Sequence, residues 1–142
     1  MGNILPIEAL QEMDMRFGCD RLIAVATCAG DIPYVRAVNA FYENGAFYFI
    51  THALSNKMTQ LRENPNVAIC GEWFTGHGVA ENMGYILADK NIDLIDKLRT
   101  VFEEWYDNGH VNEADTNTII IRIRLTDAVL FASGTKYELD FT

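Results

Sequence analysis

The stretch at residues 46–65, AFYFITHALSNKMTQLRENP, constrains the chain most, because its secondary-structure period changes partway along. Phe47, Phe49 and Thr51 alternate with Tyr48 and Ile50 in an aromatic and β-branched run, which predicts a strand. His52, Ala53 and Leu54 then turn the chain into a short helix. Ser55 stands at its N-cap, where a hydroxyl oxygen can accept an amide hydrogen of the first turn. Met58 and Leu61 share one helix face, and Asn64-Pro65 closes the element. Such a junction makes a seat for an anion. The free N–H groups and the positive end of the helix dipole attract phosphate, and Thr51, Ser55 and Lys57 can add hydroxyl and ammonium donors. The same residues also describe an ordinary capped helix with a solvated lysine, and the local pattern leaves both readings open.

Charge sharpens the question. The net charge of −9 argues against nucleic acid, whose binding rests on clustered Lys and Arg. Any small anion must then be held by a few local cations against an unfavourable overall field. The 142 residues suffice for one domain over 1–142 with a real core, and 49% hydrophobic and 11% aromatic residues place it among ordinary globular chains. Cys19, Cys28 and Cys70 show no CxxC spacing, which fits reduced thiols in a cytoplasmic protein. Early acids (Glu8, Glu12, Asp14) predict no signal peptide, and no apolar run is long enough to span a membrane.

In chain order, Ile7, Leu10, Met13 and Phe17 predict a helix over 6–17, started by Pro6 and stopped by Gly18. RLIAVATC (21–28) reads as a buried strand, and 32–41 as its hairpin partner, with Arg36 set among apolar neighbours. After the central stretch, 66–74 reads as a strand with Gly71 as a bulge. Thr75-Gly76-His77-Gly78 reads as a flexible turn, and 79–87 as a less regular strand. Ile95, Leu98, Phe102 and Trp105 predict a helix over 91–106, ended by Asn108-Gly109, with an exposed loop at 107–117. In the longest strand candidate, 118–133, Ile119, Ile121, Ile123 and Leu125 share one face and Arg122 and Arg124 the other, with a bend at Thr126-Asp127. A short strand at 136–141 follows. Together these predict a mainly β, or α+β, fold: six or seven antiparallel strands in a barrel, with two or three flanking helices.

The motifs Pro33-Tyr34-Val35-Arg36-Ala37-Val38, Phe47-Tyr48-Phe49-Ile50-Thr51, Ser55-Asn56-Lys57 and Asn64-Pro65-Asn66-Val67-Ala68 follow one another at a spacing that resembles the pyridoxamine 5′-phosphate oxidase-like flavin-binding proteins. The likeness covers residues 6–73 well and the remainder by element order. It implies a split barrel and FMN held in a groove between two subunits of a homodimer. It places Arg36 near the flavin phosphate or ribityl chain, the backbone of Ala37 and Val38 at the ring edge, and Thr51, Ser55 and Lys57 on the phosphate. Trp73 could lie against the flavin from the neighbouring subunit, or serve as a core or interface tryptophan. Related split barrels use a deazaflavin or haem instead of FMN. The C-terminus KYELDFT lacks the basic, tryptophan-containing segment with which the vitamin B6 oxidases grip their substrate.

The function expected is therefore a flavin-dependent oxidoreductase of unknown substrate, with a non-catalytic flavin carrier or sensor as the alternative. The isoalloxazine would carry the chemistry, and loops at 75–84 and 107–117 would select the substrate. His52, His77 and His110 lack ligand spacing, so no metal site is expected. His52, next to Thr51, could reach a cofactor or be a surface turn residue. No nucleophile has a credible base, which leaves hydrolase chemistry unsupported.

Overall fold

The computed structural model describes residues 5–142, His110 by its backbone alone. Helix α1 (Ile7–Phe17) leads into β1 (Arg21–Ala29), β2 (Ile32–Glu43) and β3 (Ala46–His52). Helix α2 (Asn56–Glu63), β4 (Asn66–Gly71) and β5 (Phe74–Tyr85) follow, then α3 (Ile92–Val101), β6 (Thr118–Ala132) and β7 (Thr135–Asp140). The strands run in the order β3-β2-β1-β4-β5-β6-β7, each pair antiparallel, and a β3–β6 pairing closes the first six into a barrel. The split barrel expected from the sequence is therefore the fold.

Alternation explains the closure. On β6, Ile119, Ile121, Ile123 and Leu125 all point into the barrel and are buried, meeting Val25, Phe47, Phe49 and Phe74 in one core that α1 caps with Met13 and Phe17. Ile120 faces outward, yet it is buried too, because α3 covers it with Ile95, Leu98 and Phe102 in a second cluster. Farther along that outer face Arg122 and Arg124 both pair with Glu81 of β5, at 2.6 and 3.1 Å.

The closure has a gap. β3 pairs with β6 along its whole length, 46–52, but with β2 only at Phe41, Tyr42 and Glu43. Residues 32–40 of β2 consequently have β1 on one side and no strand on the other. Helix α2 spans the gap. Its Met58 and Leu61 enter the barrel core, Lys57 reaches β3, and Gln60 reaches β1 and β2.

Three expectations are corrected. Thr75-Gly76-His77-Gly78 is not a turn; it lies inside β5, and the turn is Glu72-Trp73, so Gly71 ends β4 rather than bulging. The two glycines serve close packing. A Cβ on Gly78 would stand 2.7 Å from Ile123 Cγ2 and 2.8 Å from the Arg124 carbonyl oxygen, where β6 carries Thr126 as an extra residue between Leu125 and Asp127. The bend read at Thr126-Asp127 is this bulge. Helix α3 leaves regular geometry after Val101 rather than running to 106, although Phe102, Trp105 and Tyr106 still pack on its cluster. Trp105 gives its indole N–H to Asp20, 2.8 Å away, which draws this segment toward β1. The 107–117 segment is tied down as well, with the Glu113 carboxylate accepting from Arg99 and Tyr106 and its carbonyl from Tyr85.

Candidate functional site

Everything expected of the anion seat depends on where α2 begins. Thr51 sits near the end of β3, the chain turns through 52–54, and Ser55 takes the N-cap position with extended backbone. Its carbonyl accepts the Met58 N–H at 3.1 Å, but its hydroxyl makes no cap bond. The Ser55 Oγ is buried with no hydrogen-bond partner. A buried hydroxyl without a partner costs free energy, and one at a helix N-terminus, among unpaired amides, is placed to meet an anion. The N-cap position was legible in the sequence; the bond assumed there is not formed.

Two cations stand beside it. Lys57, in the first turn of α2, donates to Thr51 Oγ1 at 2.9 Å. Its pKa is lowered, first by burial and then by the charge of Arg36, so the two positive groups feel one another. Arg36 is lowered by burial as well. Neither has a carboxylate within ion-pair distance among the described residues, whereas Arg16, Lys97, Arg99, Arg122, Arg124 and Lys136 are all so paired. In an acidic chain, Arg36 and Lys57 are two adjacent half-buried cations whose charge no carboxylate among the described residues meets.

Arg36 is held by neutral groups. Its Nη1 donates to Thr27 Oγ1 at 2.8 Å and to the Val25 carbonyl at 3.2 Å, and its Nη2 donates to Gln60 Oε1 at 3.1 Å. The Thr27 hydroxyl in turn donates to Gln60 Oε1. Thr27 and Gln60 are the residues that sequence reasoning missed. Both left a signal: a threonine in register with Ile23 and Val25 on the buried face of β1 must find a partner, and Gln60 lies one helical turn after Lys57.

The remaining candidates are placed differently. Ala37 is exposed and points away from Arg36, while Val38 packs on the barrel core, so these two can address a ligand in the gap only through the unpaired edge of β2. Trp73 is not a core residue. It occupies the β4–β5 turn with φ 52°, is 70% exposed, and meets Phe131 edge-on at 6.4 Å, apart from the Arg36–Lys57 group. His52 bonds Asp115 at 3.0 Å. Among the described residues no cluster of three or more His, Cys, Asp or Glu could hold a metal ion.

Comparison with known proteins agrees with the geometry. The profile of the pyridoxamine 5′-phosphate oxidase family matches residues 10–128. Among solved structures, General Stress Protein 26 from Bacillus anthracis superposes with a TM-score of 0.71 at 17% identity, over 93% of this chain and 99% of that one. A FAD-binding protein from Mesorhizobium loti gives 0.66 at 16% identity, covering 83% and 90%. A heme binding protein from Mycobacterium smegmatis gives 0.64 at 13% identity, covering 86% of this chain and 53% of that one. No curated protein sequence matches.

Proposed function

The chain belongs to the pyridoxamine 5′-phosphate oxidase family, and from that premise we propose that it binds FMN and serves as a flavin-dependent oxidoreductase. The observation that carries this reading is the unpartnered Ser55 hydroxyl at the N-terminus of α2, beside two cations with no carboxylate. A phosphate monoester dianion satisfies all of them at once: Ser55 and Thr51 by hydroxyl donation, Lys57 and Arg36 by charge-assisted bonds, and the first turn of α2 by its amides. The free edge of β2 beside the same gap offers the backbone of Ala37 and Val38 to a heterocycle. Haem is the weaker fit, because it brings carboxylates but no phosphate. A deazaflavin also presents phosphate, so this donor set separates it from FMN only in part.

When bound, the flavin supplies the hydride or electron chemistry. The chain's own residues bind and orient it, and no acid–base pair is required of them. The outer barrel wall adds support for a homodimer. Leu22 and Val35 on that face are 65% and 70% exposed, and Val35 lines a groove of about 310 Å³ with Ala24, Ala26 and Ala68. A second copy would cover this apolar surface and bring its own Trp73 toward the flavin. No described helix is long and apolar enough to cross a membrane, and the three cysteines are unpaired, which suits a cytoplasmic setting.

The test is direct. Purified protein should be yellow, release FMN by mass, and sediment as a dimer. Reduction by NADH or NADPH followed by reoxidation marks an oxidoreductase, whereas FMN that never cycles marks a carrier. Failure to take up FMN in a folded protein would refute the assignment.

A further inference from the structure

The outer wall of the barrel carries a trough that the phosphate seat does not use. Cross-strand register lines it up over five strands: Val35 of β2 faces Ala26 of β1, Ala26 faces Ala68 of β4, Ala68 faces His77 of β5, and His77 faces Asp127 of β6. These side chains point outward, because their neighbours Val25, Val67 and Ala128 point into the core. The adjacent ladder adds Ala24, Cys70, Thr75 and Val129. Alanines at 24, 26 and 68 make a low floor, and the taller side chains around it enclose about 310 Å³. That volume lies at the small end for ligand pockets and holds a molecule of one or two rings. The lining is mostly apolar, and the polar groups Thr75, His77 and Asp127 gather at the β5–β6 end.

His77 organises that end. Its Nδ1 lies 2.9 Å from Asp127 Oδ1. A carboxylate only accepts, so the ring hydrogen sits on Nδ1 and the neutral ring keeps Nε2 as an acceptor. The Thr126 hydroxyl, on the β6 bulge, donates to the His77 carbonyl at 3.2 Å and lies 3.4 Å from Asp127 Oδ2, which ties the pair to the sheet. Among the described residues Nε2 has no partner, and the side chain is 67% exposed, open to a ligand.

We propose that the trough binds a small molecule with an apolar body and one hydrogen-bond-donating head, a hydroxyl or an N–H, which His77 Nε2 accepts. Asp127 positions the ring and fixes which nitrogen reads the head. An apolar side chain from a second copy would cover the floor but offer Nε2 nothing, and burying that acceptor without a donor costs free energy. A copy laid over Leu22 and Val35 closes the apolar end and leaves the His77 end as the mouth. Strand β2 joins this site to the seat, with Arg36 turned inward to Gln60 and Val35 outward to the trough. As the substrate site of an oxidoreductase the trough rests on the flavin reading; as a binding site it does not.

The probes are 4-fluorophenol and 4-fluoroanisole, alike in shape except that the ether has no hydrogen to donate. Titrations followed by ¹⁹F NMR at pH 8 compare wild type, His77→Leu and Ala68→Leu, with circular dichroism checking the fold. Wild type should bind the phenol at least about fivefold more tightly than the ether. His77→Leu should bind both equally, and Ala68→Leu, which fills the floor, should lose both by about tenfold or more. No phenol binding by wild type, no preference over the ether, a preference that survives in His77→Leu, or binding that survives in Ala68→Leu each overturns the inference. Probe binding that appears only on dilution to the monomer assigns the floor to a second copy and overturns it as well. Should His77→Leu fail to fold, the wild-type preference and Ala68→Leu decide. Repeating the titration with FMN separates the two readings. Wild type that binds the phenol but takes no FMN keeps the trough and loses the flavin, and wild type that takes FMN but no phenol does the reverse. FMN that displaces the phenol makes the trough part of the flavin site and overturns it as a separate one.

Discussion

Gln60 holds the Arg36 guanidinium at 3.1 Å without neutralising it. The amide oxygen orients the cation as a carboxylate would, yet leaves its whole charge for something else to meet. Thr27, buried on β1, does the same for the other terminal nitrogen at 2.8 Å. Half-buried arginines elsewhere in this chain are matched with acids, so the neutral company of Arg36 is a property of the site.

Changing Gln60 to Glu keeps an oxygen within reach of Arg36 and adds the missing negative charge. FMN affinity should fall about tenfold or more, while riboflavin affinity stays near wild type. Titration of intrinsic flavin fluorescence against both ligands reads the difference. Equal loss for both ligands would mean that Arg36 serves the fold and not the phosphate.

Lys57→Met should separate binding from stability. The lowered pKa of Lys57 means that folding disfavours its charge, so without ligand the wild type gains stability as pH rises from that lowered value to the ordinary lysine range. The methionine variant should lose this slope and melt higher than wild type at pH 7, yet bind FMN about 10- to 100-fold more weakly. Thermal melts from pH 7 to 10 check the first half, and calorimetric titration the second.

Ser55→Ala removes the buried hydroxyl that has no partner. The unliganded protein should be unchanged or up to about 1 kcal/mol more stable in urea, because nothing is lost but an unmet donor. FMN binding should weaken by about three- to tenfold. A destabilised variant would show that the hydroxyl caps α2 after all.

Gly78→Ala tests the β5–β6 crossing. With backbone 2.8 Å and a methyl 2.7 Å from the new Cβ, the strands must part, at a cost of about 2–4 kcal/mol by urea unfolding. Gly109→Ala has open space around it but a φ of 100°, and the strain there is only local.

Much of this was legible beforehand. Apolar alternation on 119–125 and the aromatic run at 47–51 announced barrel strands, and Ser55 announced the N-cap position of α2. What stayed hidden had physical reasons. Glycine reads as a turn unless one knows which strand passes beneath it, so Gly76 and Gly78 misled. Arg36 and Gln60 meet across three elements, a relation that no local spacing encodes. Trp105, beyond the early end of α3, bonds Asp20 from eighty-five positions away, a partner that no helical period encodes.

The missing rung between β2 and β3 also bears on how the molecule behaves alone in concentrated solution. A strand border that no other strand pairs is something that another chain can extend where α2 does not cover it, and this one runs beside exposed Ile32, Tyr34 and Val35. Pro33, which has no amide hydrogen to offer, and charged Arg36 both sit on that border and blunt it. Replacing either without filling the gap would remove a safeguard against runaway stacking, quite apart from any loss of ligand.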